Sequence, residues 1–220
     1  MRGQQQNILD VLIRVAEKLV GPKPEFELTD IVKLFIILGE GDQKGRKSLS
    51  KDLQIGEGSI RTLLNRLREH NLVKVERGGC SLTESGRAVY KALIKMITPP
   101  KPVEASPLAQ WAANYAILVR KSASKIRSGL EQRDAAVRVG ALGATTLLYL
   151  NGCFSLPGVD VDVERTYRSD FWNTLRSLLK PEDGDSVIIV GAASARVAEK
   201  GAVMAALQTL LSDLPHRQKI

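Results

Sequence analysis

The stretch SIRTLLNRLREHNLVKVERGGCSLTESGRAVY, residues 59–90, decides the reading of the chain. On a helical wheel Ile60, Leu63, Leu64 and Leu67 cluster on one side, at the i, i+3, i+4, i+7 spacing of a buried helix face. Gly58, Thr62, Asn65 and Glu69 fall on the opposite side, with Arg61 and Arg66 on the two flanks. A helix through about His70 is expected, capped by Gly58 or Ser59. Val73–Arg77 and Cys80–Leu82 then flank Gly78-Gly79, a two-residue glycine turn suited to a hairpin. Thr83–Gly86 reads as the capped start of a closing helix that runs to about Ile97.

Working upstream, Ile55–Ser59 is a turn, and a short helix from Ser48 or Ser50 to Gln54 precedes it. Before that lie the basic loop Gln43–Lys47 and a helix over Thr29–Gly39, with Thr29 as its N-cap. Ile8, Leu12, Val15 and Leu19 form one stripe of an N-terminal helix, which ends at Gly21-Pro22-Lys23-Pro24. That stripe either pairs two copies of the chain or packs on its own domain. Helix, short helix, turn, helix, hairpin, helix is the order of a winged helix-turn-helix domain.

The phrase at 59–90 resembles the winged-helix superfamily: the third helix ends in L..H.LV, the wing turns at Gly-Gly, and LTESG opens the closing helix. In that geometry the exposed face of the third helix enters the major groove. Arg61, Thr62, Asn65 and Arg66, with Ser59 at the helix start, are the groove-facing candidates. Arg reads guanine, Asn reads adenine, and Thr touches a thymine methyl. Lys44, Arg46, Lys47 and Lys51 suit phosphate, while Lys74 and Arg77 on the wing suit phosphate or the minor groove. The alternative is a solvated surface on a domain that docks protein or RNA.

Charge supports the nucleic-acid reading. The 220 residues carry 32 Lys and Arg against 24 Asp and Glu, a net charge of +8. Residues 44–95 alone hold 12 basic and 5 acidic side chains, net +7, so nearly all the excess falls on the elements that would meet DNA. The two cysteines, Cys80 and Cys153, and two histidines, His70 and His216, offer no disulfide framework and no metal-ligand spacing. Val139–Val159 lacks charge, but its Gly, Asn, Thr and Pro content reads as strands and turns rather than a membrane span. The N-terminus lacks the pattern of a signal peptide. A cytoplasmic protein is expected, with no membrane association.

Thr98–Pro107 holds four prolines and reads as a semi-rigid linker at 99–107. The domain order is then an N-terminal helix at 1–24, the winged helix at 25–98, the linker, and a mixed α/β domain at 108–220. The fold class is α+β. Within 108–220, strands are expected at Ala112–Arg120, Thr145–Leu150, Cys153–Leu156 and Val187–Val190, while Gln132–Gly140 reads as a strand or a helix, with strand preferred. Asn151-Gly152 makes a hairpin turn, and helices are expected at Ser169–Leu179 and Ala195–Leu211. Two places there could bind a small molecule. One is the Gly191–Ser194 connection, where Gly191 and Ser194 could leave backbone N–H groups open to an anion; the other gathers Arg133, Asp134, Thr145 and Thr146. A tight strand-to-helix connection and a local Arg–Asp pair are the plainer readings. Asp160, Asp162 and Glu164 alternate, as either a hard-cation site or a polar loop face.

The whole chain, through GPKPEF, SIRTLL.RL, LEQRDAAVRVGALGATTLLY and GDSVIIVGA…GAVMAAL, resembles an archaeal two-domain family. Its members join an N-terminal winged helix to a C-terminal domain of unknown function. The resemblance implies an archaeal source and a transcriptional regulator. With the winged helix binding double-stranded DNA, a homodimer is expected because one recognition helix covers too few base pairs, and the second domain would sense a small-molecule effector or dimerise the protein. The resemblance implies no catalytic residue and no cofactor, so the chain is not expected to be an enzyme. QRDAAVRVGALG also resembles, distantly, a thiamine-phosphate synthase domain carried by some archaeal regulators. The rival reading is therefore a winged helix used to dock protein on a small-molecule-binding protein or metabolic enzyme.

Overall fold

The computed structural model describes residues 2–17, 25–41 and 43–212. Leu19, the Gly21–Pro24 punctuation and His216 lie outside the described residues. The chain divides into two compact units, Met1–Ile94 and Lys95–Ile220.

In the first unit the elements are α1 (Arg2–Ala16), α2 (Leu28–Glu40), α3 (Arg46–Leu53), α4 (Glu57–Glu69), a hairpin β1 (Val73–Glu76) and β2 (Gly79–Leu82), and α5 (Glu84–Met96). The expected order is the observed one, and the differences lie at the element ends. Helix α2 starts at Leu28 and is capped by Glu27. The Glu27 side chain accepts the Asp30 N–H, and the Asp30 side chain accepts the Glu27 N–H, a reciprocal pairing that satisfies two orphan donors. Thr29 is buried inside the first turn instead of capping it. Helix α3 starts at Arg46, ahead of either serine, and α4 starts after Gly56 rather than Gly58 or Ser59. Thr83 does open α5, its hydroxyl accepting the Gly86 N–H at 3.0 Å.

The hairpin pairs Val73 with Leu82 and Glu76 with Gly79, so its two-residue turn is Arg77-Gly78, one position earlier than expected. The cause is the chain at Lys44. Lys44 and Cys80 exchange two backbone hydrogen bonds, at 2.9 and 2.7 Å, adding a one-residue third strand beside β2. Gly79 has φ +136, and a Cβ there would lie 2.7 Å from the Lys44 carbonyl oxygen. Only glycine fits both demands. Leu12 and Val15 of α1 are fully buried, as are Leu34, Phe35, Leu49, Ile60, Leu63 and Leu67. The described part of the N-terminal stripe, Ile8, Leu12 and Val15, therefore belongs to the core of its own unit, and Leu12 and Val15 present no surface to a second copy.

The second unit holds β3 (Lys101–Val103), β4 (Ala113–Val119), α6 (Leu130–Arg138), β5 (Gly143–Leu150), β6 (Cys153–Ser155), α7 (Val163–Thr166), α8 (Phe171–Leu179), β7 (Asp185–Ala192) and α9 (Ala195–Leu211). The sheet order is β3-β4-β7-β5-β6, antiparallel throughout. Two expectations change. The proline segment contributes an edge strand, with Pro102 opposite Tyr115; an edge position tolerates the missing N–H. Gln132–Gly140 is largely helix, α6, not strand. The Asn151-Gly152 turn is as read, with both residues at positive φ (53 and 80) and Leu150 paired with Cys153, the requirement of a type I′ turn.

One sheet face carries Ala116, Leu118, Leu147, Tyr149, Val187 and Ile189, which pack with Phe154, Trp172, Leu175 and Leu179. Helices α6 and α9 pack together on the other face, where Gly201 lets α9 approach Val190. Asp185 is fully buried at the start of β7. It accepts from the Arg120 guanidinium at 3.0 Å and from the backbone N–H groups of Lys121 and Glu182 at 2.8 and 3.0 Å. Those donors replace the water it has lost and fix the end of β4 against the start of β7.

Candidate nucleic-acid interface

Helix α3 ends at Gln54 in the left-handed conformation (φ 53), and the Ser50 hydroxyl donates to the Ile55 carbonyl at 2.6 Å. This tight turn hands the chain to α4, whose Ile60, Leu63, Leu64 and Leu67 are buried. The other side of α4 is left outward. Arg61, Thr62 and Asn65 are exposed there, and so is Arg68. Arg61, Asn65 and Arg68 follow i, i+4, i+7 spacing, a stripe about 10 Å long at 1.5 Å per residue. None of the three makes a hydrogen bond or ion pair with a described residue. Thr62 returns its hydroxyl to the Gly58 carbonyl at 3.2 Å. The sequence reading missed Arg68. Its signal was present, since Arg68 stands seven residues beyond Arg61 and so on nearly the same line.

Arg66 has a different task. Its guanidinium donates to the Val15 carbonyl at 3.1 Å and the Glu17 carbonyl at 2.8 Å, and lies 5.2 Å from the centre of the Phe26 ring. These are carbonyls at the end of α1, where intrahelical donors run out. Arg66 thus fastens α1 to α4 and is not placed to read bases. The flank that carries Arg61 is open, whereas the flank that carries Arg66 is covered by α1. Ser59 is engaged as well: its hydroxyl donates to Glu25 Oε2 at 2.7 Å. A carboxylate therefore sits at the positive end of α4, the place where a phosphate would be favoured.

The remaining basic candidates divide in two. Lys44 is held by Asp52 at 2.6 Å and Lys74 by Glu76 at 3.0 Å; both pairs are surface-accessible, so each ammonium can still exchange partners cheaply. Arg46, Lys47, Lys51 and Arg77 are exposed and make no hydrogen bond or ion pair with a described residue. Arg46 and Lys47 occupy the first turn of α3, which has no acidic residue. Cations at a helix N-terminus oppose the macrodipole, so this end of α3 lacks an anion that local stability alone would favour. The Lys44–Cys80 pairing, with Gln43 Nε2 donating to the Gly79 carbonyl at 3.3 Å, ties this basic loop to the hairpin that bears Arg77. Burial pushes the Cys80 thiol above its ordinary range, against a smaller opposing effect of Arg46. It stays protonated and serves as core.

In the second unit the six small-molecule candidates do not converge. Arg133 and Asp134 pair with each other at 3.6 Å on the exposed side of α6. Thr145 and Thr146 are consecutive on β5 and point to opposite faces. Thr145 donates to the Leu108 carbonyl at 2.8 Å, while Thr146 is buried beside Gly129. Gly191 lies within β7, directly opposite Gly143 on β5. The indole of Trp111 covers the pair: a Cβ on Gly143 would lie 2.7 Å from Cζ2, and one on Gly191 would run into the ring. These glycines seat a tryptophan; they do not open a loop to an anion. Ser194 is exposed at the start of α9 and caps it without a side-chain hydrogen bond.

The alternating acids also have separate work. Asp160 Oδ1 accepts the Asp162 N–H, Asp162 Oδ1 accepts the Arg165 N–H, and Glu164 takes both the Phe154 N–H and the Arg176 guanidinium. The Thr166 hydroxyl, and then the Asp162 N–H, hold the Asp160 carboxyl below the usual range. Among the described residues no group of three or more His, Cys, Asp or Glu side chains is placed to hold a metal. None of the described helices is long and apolar enough to cross a membrane.

Comparison with known proteins follows the same division. Residues 27–88 match a family model described as the PH0730-like N-terminal domain, and residues 111–210 match a domain of unknown function, DUF4443. The chain has the two-domain layout of these families. The solved structure of hypothetical protein PH0730 from Pyrococcus horikoshii OT3 is similar over 88% of this chain and 97% of its own. The TM-score is 0.67 at 27% identity. A second solved structure, Lactococcus lactis ZitR, covers 42% of this chain and 71% of its own, at 22% identity and a TM-score of 0.29. No curated protein matches the chain.

Proposed function

We propose that the chain is a transcriptional regulator that binds double-stranded DNA through a winged helix formed by its first unit. The observation that carries this reading is the stripe Arg61, Asn65 and Arg68, exposed on α4 and free of partners among the described residues. Two guanidinium groups and an amide at one-turn spacing match the acceptor and donor edges of guanine and adenine in a groove about 12 Å wide. Arg46, Lys47 and Lys51 on α3, with Arg77 at the tip of the wing, take phosphate on either side.

The second unit serves binding rather than chemistry in this account. One α4 covers too few base pairs to select a genomic site, so two copies act together. The second unit is the part that pairs them, since Ile8, Leu12 and Val15 of the N-terminal stripe are buried inside the first. Titration of labelled duplexes with the intact protein tests the reading. Binding that weakens steeply with salt and survives random competitor DNA on a selected subset of sequences supports it. Equal binding of all sequences, or none at low salt, sinks it.

A further inference from the structure

We infer that the outer face of α6 is the surface through which two copies of the chain pair, antiparallel and two-fold related. This names the contact for the pairing proposed above. Among the described residues, three exposed large apolar side chains fall in one segment: Leu130 at 58% exposure, Val137 at 42% and Leu142 at 57%. The inner side of the helix, Gln132, Ala135 and Ala136, is buried. On a helical wheel, Leu130, Asp134 and Val137 centre the outer side, and Glu131 and Arg138 share one flank. Neither Glu131 nor Arg138 makes an ion pair with a described residue.

The order of charge selects the partner. Glu131 lies in the first turn and Arg138 in the last. A second α6 laid antiparallel brings Arg138 of each copy to Glu131 of the other, along the flank they share, and opposes the two helix dipoles favourably. A parallel two-fold partner would carry that flank to the opposite side of the contact, so Glu131 and Arg138 of the two copies could not meet. The same antiparallel register sets Leu130 against Val137 of the other copy. Both spacings are seven residues, about 10 Å at 1.5 Å per residue. Their midpoints differ by a single position, which long side chains absorb. The axis then passes near Asp134, and Arg133 beside it, already 3.6 Å from that carboxylate, offsets the meeting of two acids. An isologous contact counts every interaction twice, which a small face needs. Even so, a helix pair falls short of the roughly 1,200 Å² of a standard interface, and a dimer in the micromolar range is expected.

The test is sedimentation of the full chain without DNA, so that failure of DNA binding leaves it untouched. Glu131→Arg and Arg138→Glu should each weaken self-association about tenfold or more, because each reverses two contacts across the axis. Combining them should restore it, since opposite charges again meet. Val137→Asp should abolish it. All three positions are exposed, and unchanged circular dichroism confirms that the variants fold. If the wild-type chain is a monomer at high concentration, the pairing itself is refuted. If it dimerises but the variants do so equally, or the double variant stays as weak as the singles, pairing stands and this face does not.

Discussion

Arg66 gives the sharpest separation between fastening the fold and reading DNA. Replacing it with alanine removes two hydrogen bonds from a charged donor to the Val15 and Glu17 carbonyls, together with its stacking on Phe26. A hydrogen bond to a charged group contributes about 1.5–3 kcal/mol when buried, and an exposed cation–π contact about 0.5–1 kcal/mol. The lower ends sum to about 3.5 kcal/mol, and because Arg66 is only half-buried solvent screening reduces this to a working figure of about 2 kcal/mol. For a unit of this size that lowers the melting temperature by roughly 10 °C. Arg66→Lys keeps the charge but loses the forked donor that reaches both carbonyls, and should recover less than half of the loss. Arg61→Ala, by contrast, should leave the melting temperature unchanged. Calorimetry of the three variants, followed by base-preference measurement below the transition, checks both halves. An unchanged melting temperature for Arg66→Ala, with altered base preference, would refute the assignment.

Other perturbations address other parts of the account. Glu25→Gln removes the carboxylate that the Ser59 hydroxyl holds at the start of α4, and should tighten DNA binding by roughly threefold to tenfold in fluorescence anisotropy; weaker binding would contradict a phosphate approach there. Asp185→Ala leaves Arg120 and two N–H groups without their acceptor and should cost about 3–5 kcal/mol in denaturant unfolding of the second unit, whereas a small loss would mean the site relaxes. Gly143→Val forces Trp111 from its seat, and the displaced indole should show a red-shifted fluorescence in a Trp172→Phe background. The raised Cys80 thiol stabilises the first unit at pH values below the ordinary thiol range. That contribution is lost as pH rises through the ordinary thiol range toward the higher folded value. Cys80→Ser should flatten that alkaline loss in a thermal melt followed against pH.

Much of the first unit was legible because its helices bury large aliphatic residues at regular spacing. In α4 the inner face is Ile60, Leu63, Leu64 and Leu67, and no competing period exists. α6 was misread for the converse reason. Its buried positions, Gln132, Ala135 and Ala136, are small or polar, with the Gln132 amide donating to the Thr209 hydroxyl at 3.1 Å. Val137 faces outward and, with Ala135 and Val139 at every second position, imitates the alternation of a strand. The hairpin turn was misplaced by one residue because Gly79 is demanded by a strand far upstream, at Lys44. Arg66 looked like Arg61 on the wheel, and only the position of α1 separates them. Gly191 read as part of a connection open to an anion, since nothing local reveals that Trp111 lies on it and on Gly143. Each failure is a tertiary contact overriding a local signal.

The central claim is that the stripe on α4 reads sequence, and a paired salt titration tests it most directly. Wild-type protein and Arg61→Ala are each titrated with a selected duplex and with random duplex while the salt is varied. The account predicts a steep slope of log affinity against log salt for the wild type, about −3 to −5 per copy. It also predicts that Arg61→Ala loses about tenfold or more on the selected duplex and much less on random DNA. Equal losses on both would make Arg61 a phosphate contact, and no measurable binding to either duplex at low salt would contradict the claim outright.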